Sequence, residues 1–323
     1  MTEIPTADEL SVARAVIAEE ALHTGLDRFV AHPWGSTELI IASEKGNKRY
    51  VAALLCAGAD TERADCEGLT PLIGASYFGQ TEIVEILLRG GADKDKASKE
   101  GMTPLLAAIE RGHKDIVESL LRAGADKDKV DKYWRTPLEA AIMMGRKEIV
   151  EILLHAGVDG NGTQASVPMV TAVWNKHAEI VKILLRAGAD KDRAGADEYT
   201  PLLAASRAGH WDIFDILLRA GADKDKANNV GQTPLIIASD MGYNRFVETL
   251  LMIGADKDKA DTNGTTPLIA ASLSGHKWTV ELLLRYGADQ KKADRTGMTP
   301  LIAAVESGHK ETADVLRHFS TLP

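Results

Sequence analysis

The chain has little cysteine, few aromatic residues and no excess of positive charge. Its two cysteines, Cys56 and Cys66, are too few for a disulfide framework, so free thiols in a reducing compartment are expected. The formal net charge of −9 is opposite to the basic stripe that nucleic acid selects and is repelled by an anionic membrane surface. No apolar run reaches the ~18 residues of a membrane-spanning helix. The opening ten residues lack the basic and apolar regions of a secretory leader. An intracellular, cytoplasmic location is therefore expected, with a nuclear one compatible. Also missing are a nucleophile elbow, a phosphate-binding loop, a His-Glu-x-x-His motif and a Cys-x-x-Cys pair. Enzymatic activity, cofactors and metals are not expected. Aromatics make up only 5% of residues, so each one at a surface position is informative.

What the chain has is repetition. Thr-Pro-Leu opens at Thr70, Thr103, Thr136, Thr200, Thr233, Thr266 and Thr299, at a spacing of 33 residues apart from one gap of 64. So strict a period means one small unit copied end to end. In the copy at Thr103, the threonine suits a helix cap and Pro104 the first helical position. Leu105, Ala107 and Ala108 give a small apolar face, and Gly112 stops the helix. A second helix starts near His113, with Ile116, Val117, Leu120 and Leu121 on one buried stripe, and ends at Gly124. Asp126 to Arg135 is polar and turn-like. Two helices this short cannot bury their apolar faces alone, so neighbouring units must stack.

These residues resemble the ankyrin repeat: a 33-residue period, Thr-Pro-Leu opening the first helix, Gly-His between the helices and Gly-Ala-Asp after the second. The resemblance covers nearly the whole chain. Nine copies open at Thr37, Thr70, Thr103, Thr136, Val167, Thr200, Thr233, Thr266 and Thr299. It implies an all-α solenoid of stacked helix-turn-helix units with projecting β-hairpin loops. Residues 1–36 would be an entry or capping segment, with Asp8 to Ala21 helical and Leu26, Phe29 and Val30 covering the first repeat. Residues 37–298 would hold eight repeats, and 299–323 a capping repeat finished by polar Arg317, His318 and Ser320. The histidine that commonly follows Thr-Pro-Leu in the family is replaced here by Ile73, Leu106, Ile236, Ile269 or Ile302, and once by Glu139, which should be partly solvated or paired.

Two periodic features read as structural. His113, His177, His210, His276 and His309 share one repeat position; stacked helices lie about 8–10 Å apart, too far for neighbours to share one metal ion. The Asp-Lys-Asp-Lys runs at Asp93, Asp126, Asp223 and Asp256, with a variant at Asp190, are each neutral. They read as solvated, alternating charge ladders in which each surface pair contributes little.

The resemblance places the variable surface on hairpin tips and the exposed end of the first helix, on the concave side. There the chain carries Leu69, Tyr77, Phe78, Met102, Arg111, Tyr133, Trp134, Arg135, Met144, Trp174 and Tyr199 across copies two to six. Aromatic residues, methionine and arginine are what interface cores enrich. Tyr77 and Met143 are the ones expected to be buried between neighbours. The fifth copy departs from the pattern: it is two residues short, Val167 removes the capping hydroxyl, and Lys176 replaces a helix-ending glycine. Its glycine-rich loop would open a notch flanked by Trp174 and by Tyr133 and Trp134.

The expected function is protein–protein interaction, with a partner protein or extended peptide on the concave face of repeats 2–6. The chain would act as an adaptor, assembly factor or steric inhibitor, and be a monomer when free. Two other readings remain open. One is a spacer or subunit that binds through its ends or convex face, with Trp211 and Trp278 as outer contacts. The other is an engineered binder, against which the irregular first and fifth copies stand.

Overall fold

The computed structural model describes residues 11–13, 15, 16, 19, 37–162, 167–195 and 198–321. The described residues form helix pairs and turns, with no strand among them. They divide into two compact units, 1–158 and 159–323. Leu26, Phe29 and Val30 lie outside the described residues; of the proposed entry helix, residues 11–13, 15, 16 and 19 are helical.

The first unit holds four pairs: α1 (Glu38–Glu44) with α2 (Lys48–Cys56), α3 (Pro71–Tyr77) with α4 (Thr81–Arg89), α5 (Pro104–Arg111) with α6 (Lys114–Arg122), and α7 (Pro137–Met143) with α8 (Lys147–His155). The second holds five: α9 (Pro168–Trp174) with α10 (Ala178–Arg186), α11 (Pro201–Ala208) with α12 (Trp211–Arg219), α13 (Pro234–Asp240) with α14 (Asn244–Met252), α15 (Pro267–Leu273) with α16 (Lys277–Arg285), and α17 (Pro300–Glu306) with α18 (Lys310–Ser320). Within each unit, first helices pack on first helices and second on second. Small buried residues such as Ala107, Ala140, Ala204 and Ala270 let the first helices approach closely. The second helices each bury one stripe, such as Ile116, Val117 and Leu120.

Each first helix except α9 begins at a capping threonine whose Oγ1 accepts an amide hydrogen bond, as Thr103 does from Leu106 N at 3.2 Å. Glu139 is buried and paired: its carboxylate accepts from Thr136 N at 2.9 Å while Thr136 Oγ1 accepts from Glu139 N, a reciprocal capping box. Val167 provides no side-chain cap for α9.

Neighbouring pairs satisfy each other's polar groups at three levels. At the turn between helices, Gln80 Nε2 donates to Glu44 O at 3.1 Å and Arg146 Nη2 to Glu110 O at 3.2 Å. His113, His276 and His309 do the same through Nε2 to Tyr77 O, Asp240 O and Leu273 O, at 3.1, 2.9 and 2.9 Å. A carbonyl only accepts, so Nε2 carries the proton in each ring. These carbonyls end the first helices and have no partner inside them. The glycine beneath each of these side chains is doubly required. Gly79 has φ +79, and a Cβ there would lie 2.6 Å from the His113 ring.

The charge runs are not free ladders; this corrects the sequence expectation. Each run folds into a turn, with Asp95 N donating to Asp93 Oδ1 at 2.9 Å. The third residue then accepts the first amide of the next run. Asp126 N donates to Asp95 Oδ1 at 2.7 Å, Asp223 N to Asp192 Oδ1 at 2.8 Å and Asp256 N to Asp225 Oδ1 at 3.0 Å. Asn161 takes this place in the fifth repeat, accepting from Asp190 N at 2.7 Å. The last lysine of the run reaches back in turn: Lys129 Nζ donates to Asp95 O at 2.7 Å and Lys259 Nζ to Asp225 O at 2.8 Å.

The hairpins are tight turns, too short to form strands. Asp131 Oδ1 accepts from Tyr133 N and Arg135 N, at 2.8 and 3.0 Å, and Lys132 N donates to Glu100 O on the preceding tip. In the ninth pair Arg317 and His318 are exposed as expected, but so are Ile302 and Val305 of α17, so its finish is not wholly polar.

Lys176 stands in left-handed backbone, φ 59, where glycine stands in the other pairs. Burial, and then the Lys176 charge, hold the pKa of His210 below the ordinary 6.5. The fold thus favours neutral His210, whose contribution is present above pH 6.5 and is lost as the pH falls below it. Lys176→Gly is expected to raise unfolding stability by about 1 kcal/mol and to move the His210 titration upward, read by urea denaturation and NMR. Asp225→Ala is expected to cost about 1 kcal/mol by stranding the Asp256 amide. Asp225→Asn, which keeps the acceptor as Asn161 does, should leave the urea midpoint near wild type. Midpoints of both variants equal to that of wild type would mean that the carboxylate is merely solvated.

Candidate functional site

The hairpin tips and first-helix ends project side chains that the stack does not consume. In the first unit, Tyr133 and Trp134 are 65% and 81% exposed at the tip before α7. Phe78, Met144 and Arg111 are exposed at the ends of α3, α7 and α5. Tyr77 is half-buried, edge-on to Phe78 at 5.2 Å and covered by the Arg111 guanidinium at 4.7 Å. Leu69 and Met102 are half-buried at their tips. Met143 is exposed, contrary to the expectation that neighbours bury it, because its place near the end of α7 faces away from the packed row.

Trp134 has φ 62, whereas Gly68, Gly101, Gly231, Gly264 and Gly297 hold the corresponding tip position. Left-handed backbone in a bulky residue is strained. The tip is nevertheless firmly held. Asp131 is buried beneath it and accepts from Arg135 Nε at 2.6 Å, and Arg135 also reaches Glu110 at 3.3 Å. Burial opposes the Arg135 charge, but its bonds to Asp131 and Glu110 outweigh that and raise its pKa. Lys132 pairs with Glu100. Both cations lie near the Tyr133 ring, at 4.9 and 5.2 Å. The positive charges of this tip are therefore neutralised locally, and the exposed aromatic rings are what it presents.

In the second unit, Trp174 is 46% exposed at the end of α9, with half-buried Tyr199 6.1 Å away on the tip before α11. Glu198, beside it, is a second non-glycine tip residue with positive φ, 55. Sequence reading passed over it, although counting two residues back from each capping threonine exposes it. The short loop of the fifth copy includes residues 163–166, which lie outside the described residues, as does the edge of the expected notch. Trp211 is half-buried, packs on Phe246 and Phe214 at 5.2 and 5.7 Å, and is covered by Arg245. No group of three metal-ligating side chains is found among the described residues, and no helix there is long and apolar enough to cross a membrane.

A family model described as ankyrin repeats (3 copies) matches residues 12–98, 90–164, 169–261 and 246–320. Among solved structures, the crystal structure of the ankyrin repeat domain of Bcl-3, described as a unique member of the IkappaB protein family, matches with a TM-score of 0.62 and 27% sequence identity. That match covers 68% of this chain and 99% of the other. No curated protein matches in sequence. The repeat spacing, the capped helix pairs and the family match agree over nearly the same residues: the chain belongs to the ankyrin-repeat family.

Proposed function

We propose that this chain is a protein–protein interaction module whose partner, a protein or an extended peptide, is held by hairpin tips and first-helix ends. Ankyrin repeats in general serve as such modules. In the first unit the contact residues are Leu69, Tyr77, Phe78, Met102, Arg111, Tyr133, Trp134, Arg135 and Met144; in the second they are Trp174 and Tyr199. Acting through this surface, the chain is an adaptor, an assembly factor or a steric inhibitor, and monomeric when free. Residues 1–36 serve as the entry segment of the stack and residues 299–323 as its closing repeat.

The observation that carries this reading is Trp134. A large indole stands on a tip fixed from below, in backbone that costs energy for any residue but glycine. Strain with no structural return, placed beside exposed Tyr133, fits a pre-organised anchor that fills a pocket on a partner. Arg135 positions the tip through Asp131 and Glu110.

Trp134→Gly separates anchor from lesion. The variant is expected to be more stable by about 1 kcal/mol and to bind the partner at least about tenfold more weakly, measured by urea denaturation and calorimetry with the co-purifying protein. Higher stability with unchanged affinity would assign the binding surface elsewhere.

A further inference from the structure

The helix pairs provide an internal comparison, because one register position can be read in all nine. Twelve residues after the capping position, every other pair carries a charged side chain, from Arg49 in the first to Glu311 in the ninth. The exception is Trp278, the second residue of α16, which is 68% exposed. It borders a groove of about 210 Å³ on α14 and α16, together with Glu248, Leu282, Glu281 and Arg285. Glu281 and Arg285 pair with each other at 2.7 Å. Among the described residues Glu248 has no ion pair or hydrogen bond, and no cation lies over the Trp278 ring.

Two pairs earlier, one register position before that of Trp278, the chain covers an indole itself. Trp211 heads α12, and Arg245, from the head of the following second helix α14, sets its guanidinium 3.8 Å from the ring centroid. Beyond Trp278 the following second helix carries Glu311 at the register position of Arg245, so it offers no guanidinium there, and Glu311 is bound to Lys277 at 3.2 Å. So one tryptophan takes a guanidinium from its neighbour, while the other has an open ring with an unpaired carboxylate in the same groove.

The geometry points to Trp278 and Glu248 as a site for an arginine side chain of a partner protein. The guanidinium stacks on the indole face and Glu248 supplies the opposite charge. Arginine fits better than lysine because its planar group stacks and carries less tightly held water. The ends of the same two helices add Met252, Ile253 and Tyr286, all exposed; the first six pairs have alanine or glycine where Ile253 and Tyr286 stand. The segment that carries the arginine is therefore apolar beside it. This surface lies on second helices and is independent of the hairpin tips.

The test uses the full chain labelled with ¹⁵N at its tryptophan indoles, with the Trp278 resonance assigned by Trp278→Phe. The probes are the peptide acetyl-Gly-Arg-Gly-Leu-Gly-amide and its citrulline counterpart, which keeps the shape and loses the charge. The arginine peptide is expected to shift the Trp278 indole and leave that of Trp211, already covered, in place. The citrulline peptide should bind about fivefold more weakly. Glu248→Gln should weaken the arginine peptide about threefold and leave the citrulline peptide unaffected. Equal binding of the two peptides, or a Trp278 resonance unmoved at millimolar arginine peptide, would overturn the assignment.

Discussion

Each helix pair depends on its neighbour for the polar partners it cannot supply itself. A pair of helices with seven to nine residues each, such as α3 and α4, leaves orphan carbonyls at its turn and an unpaired amide where its loop begins. The two adjoining pairs provide the donor for one and the acceptor for the other: His113 of the following pair for the Tyr77 carbonyl, and Glu62 of the preceding one for the Asp93 amide at 2.9 Å. Apolar burial brings the helices together without fixing their register. These hydrogen bonds do fix it, since each is met only when neighbouring pairs are in step. The monotony of the chain follows, because a residue that must serve the next pair varies only among side chains that keep the donor or acceptor, as Gln80, His113 and Arg146 do.

What can vary is what the stack does not use. At the tips and the ends of the first helices, Phe78, Tyr133, Trp134, Met144 and Trp174 make no inter-repeat hydrogen bond through their side chains, and all of them stand exposed. Trp134 goes further than variation. Five other tips carry glycine at its place, so the cheapest residue for that backbone is already in use along the chain. Lys176 is strained in the same sense but lies at a turn between helices, and its consequence is internal, on His210.

Much of the fold was legible in the sequence. The threonine caps, the proline starts and the stripe of Ile116, Val117 and Leu120 are local signals of known period, and the helices fall where they predict. The partnerships between repeats were not legible, because their members lie 31 to 36 residues apart and meet only once the stacking register exists. The Asp-Lys-Asp-Lys run therefore read as a solvated ladder, although its third residue and its lysine are both committed to a neighbour. Trp211 and Trp278 looked alike for the same reason. Phe214, Phe246 and Arg245 cover the Trp211 ring, whereas Trp278 is left open. Of the candidate surface, the tip positions were readable from the repeat pattern. The partial burial of Tyr77 was readable too, but the exposure of Met143 and the neutralised charge of Arg135 were not.

The central claim is that the exposed tip and first-helix aromatics hold a partner protein. The most direct measurement is affinity purification from the source cell, comparing wild type with the Tyr133→Ala/Trp134→Ala/Trp174→Ala variant by quantitative mass spectrometry, after circular dichroism has shown both to be folded. The account predicts at least one protein recovered with wild type and lost with the variant. The same proteins recovered in equal amounts from both would contradict it.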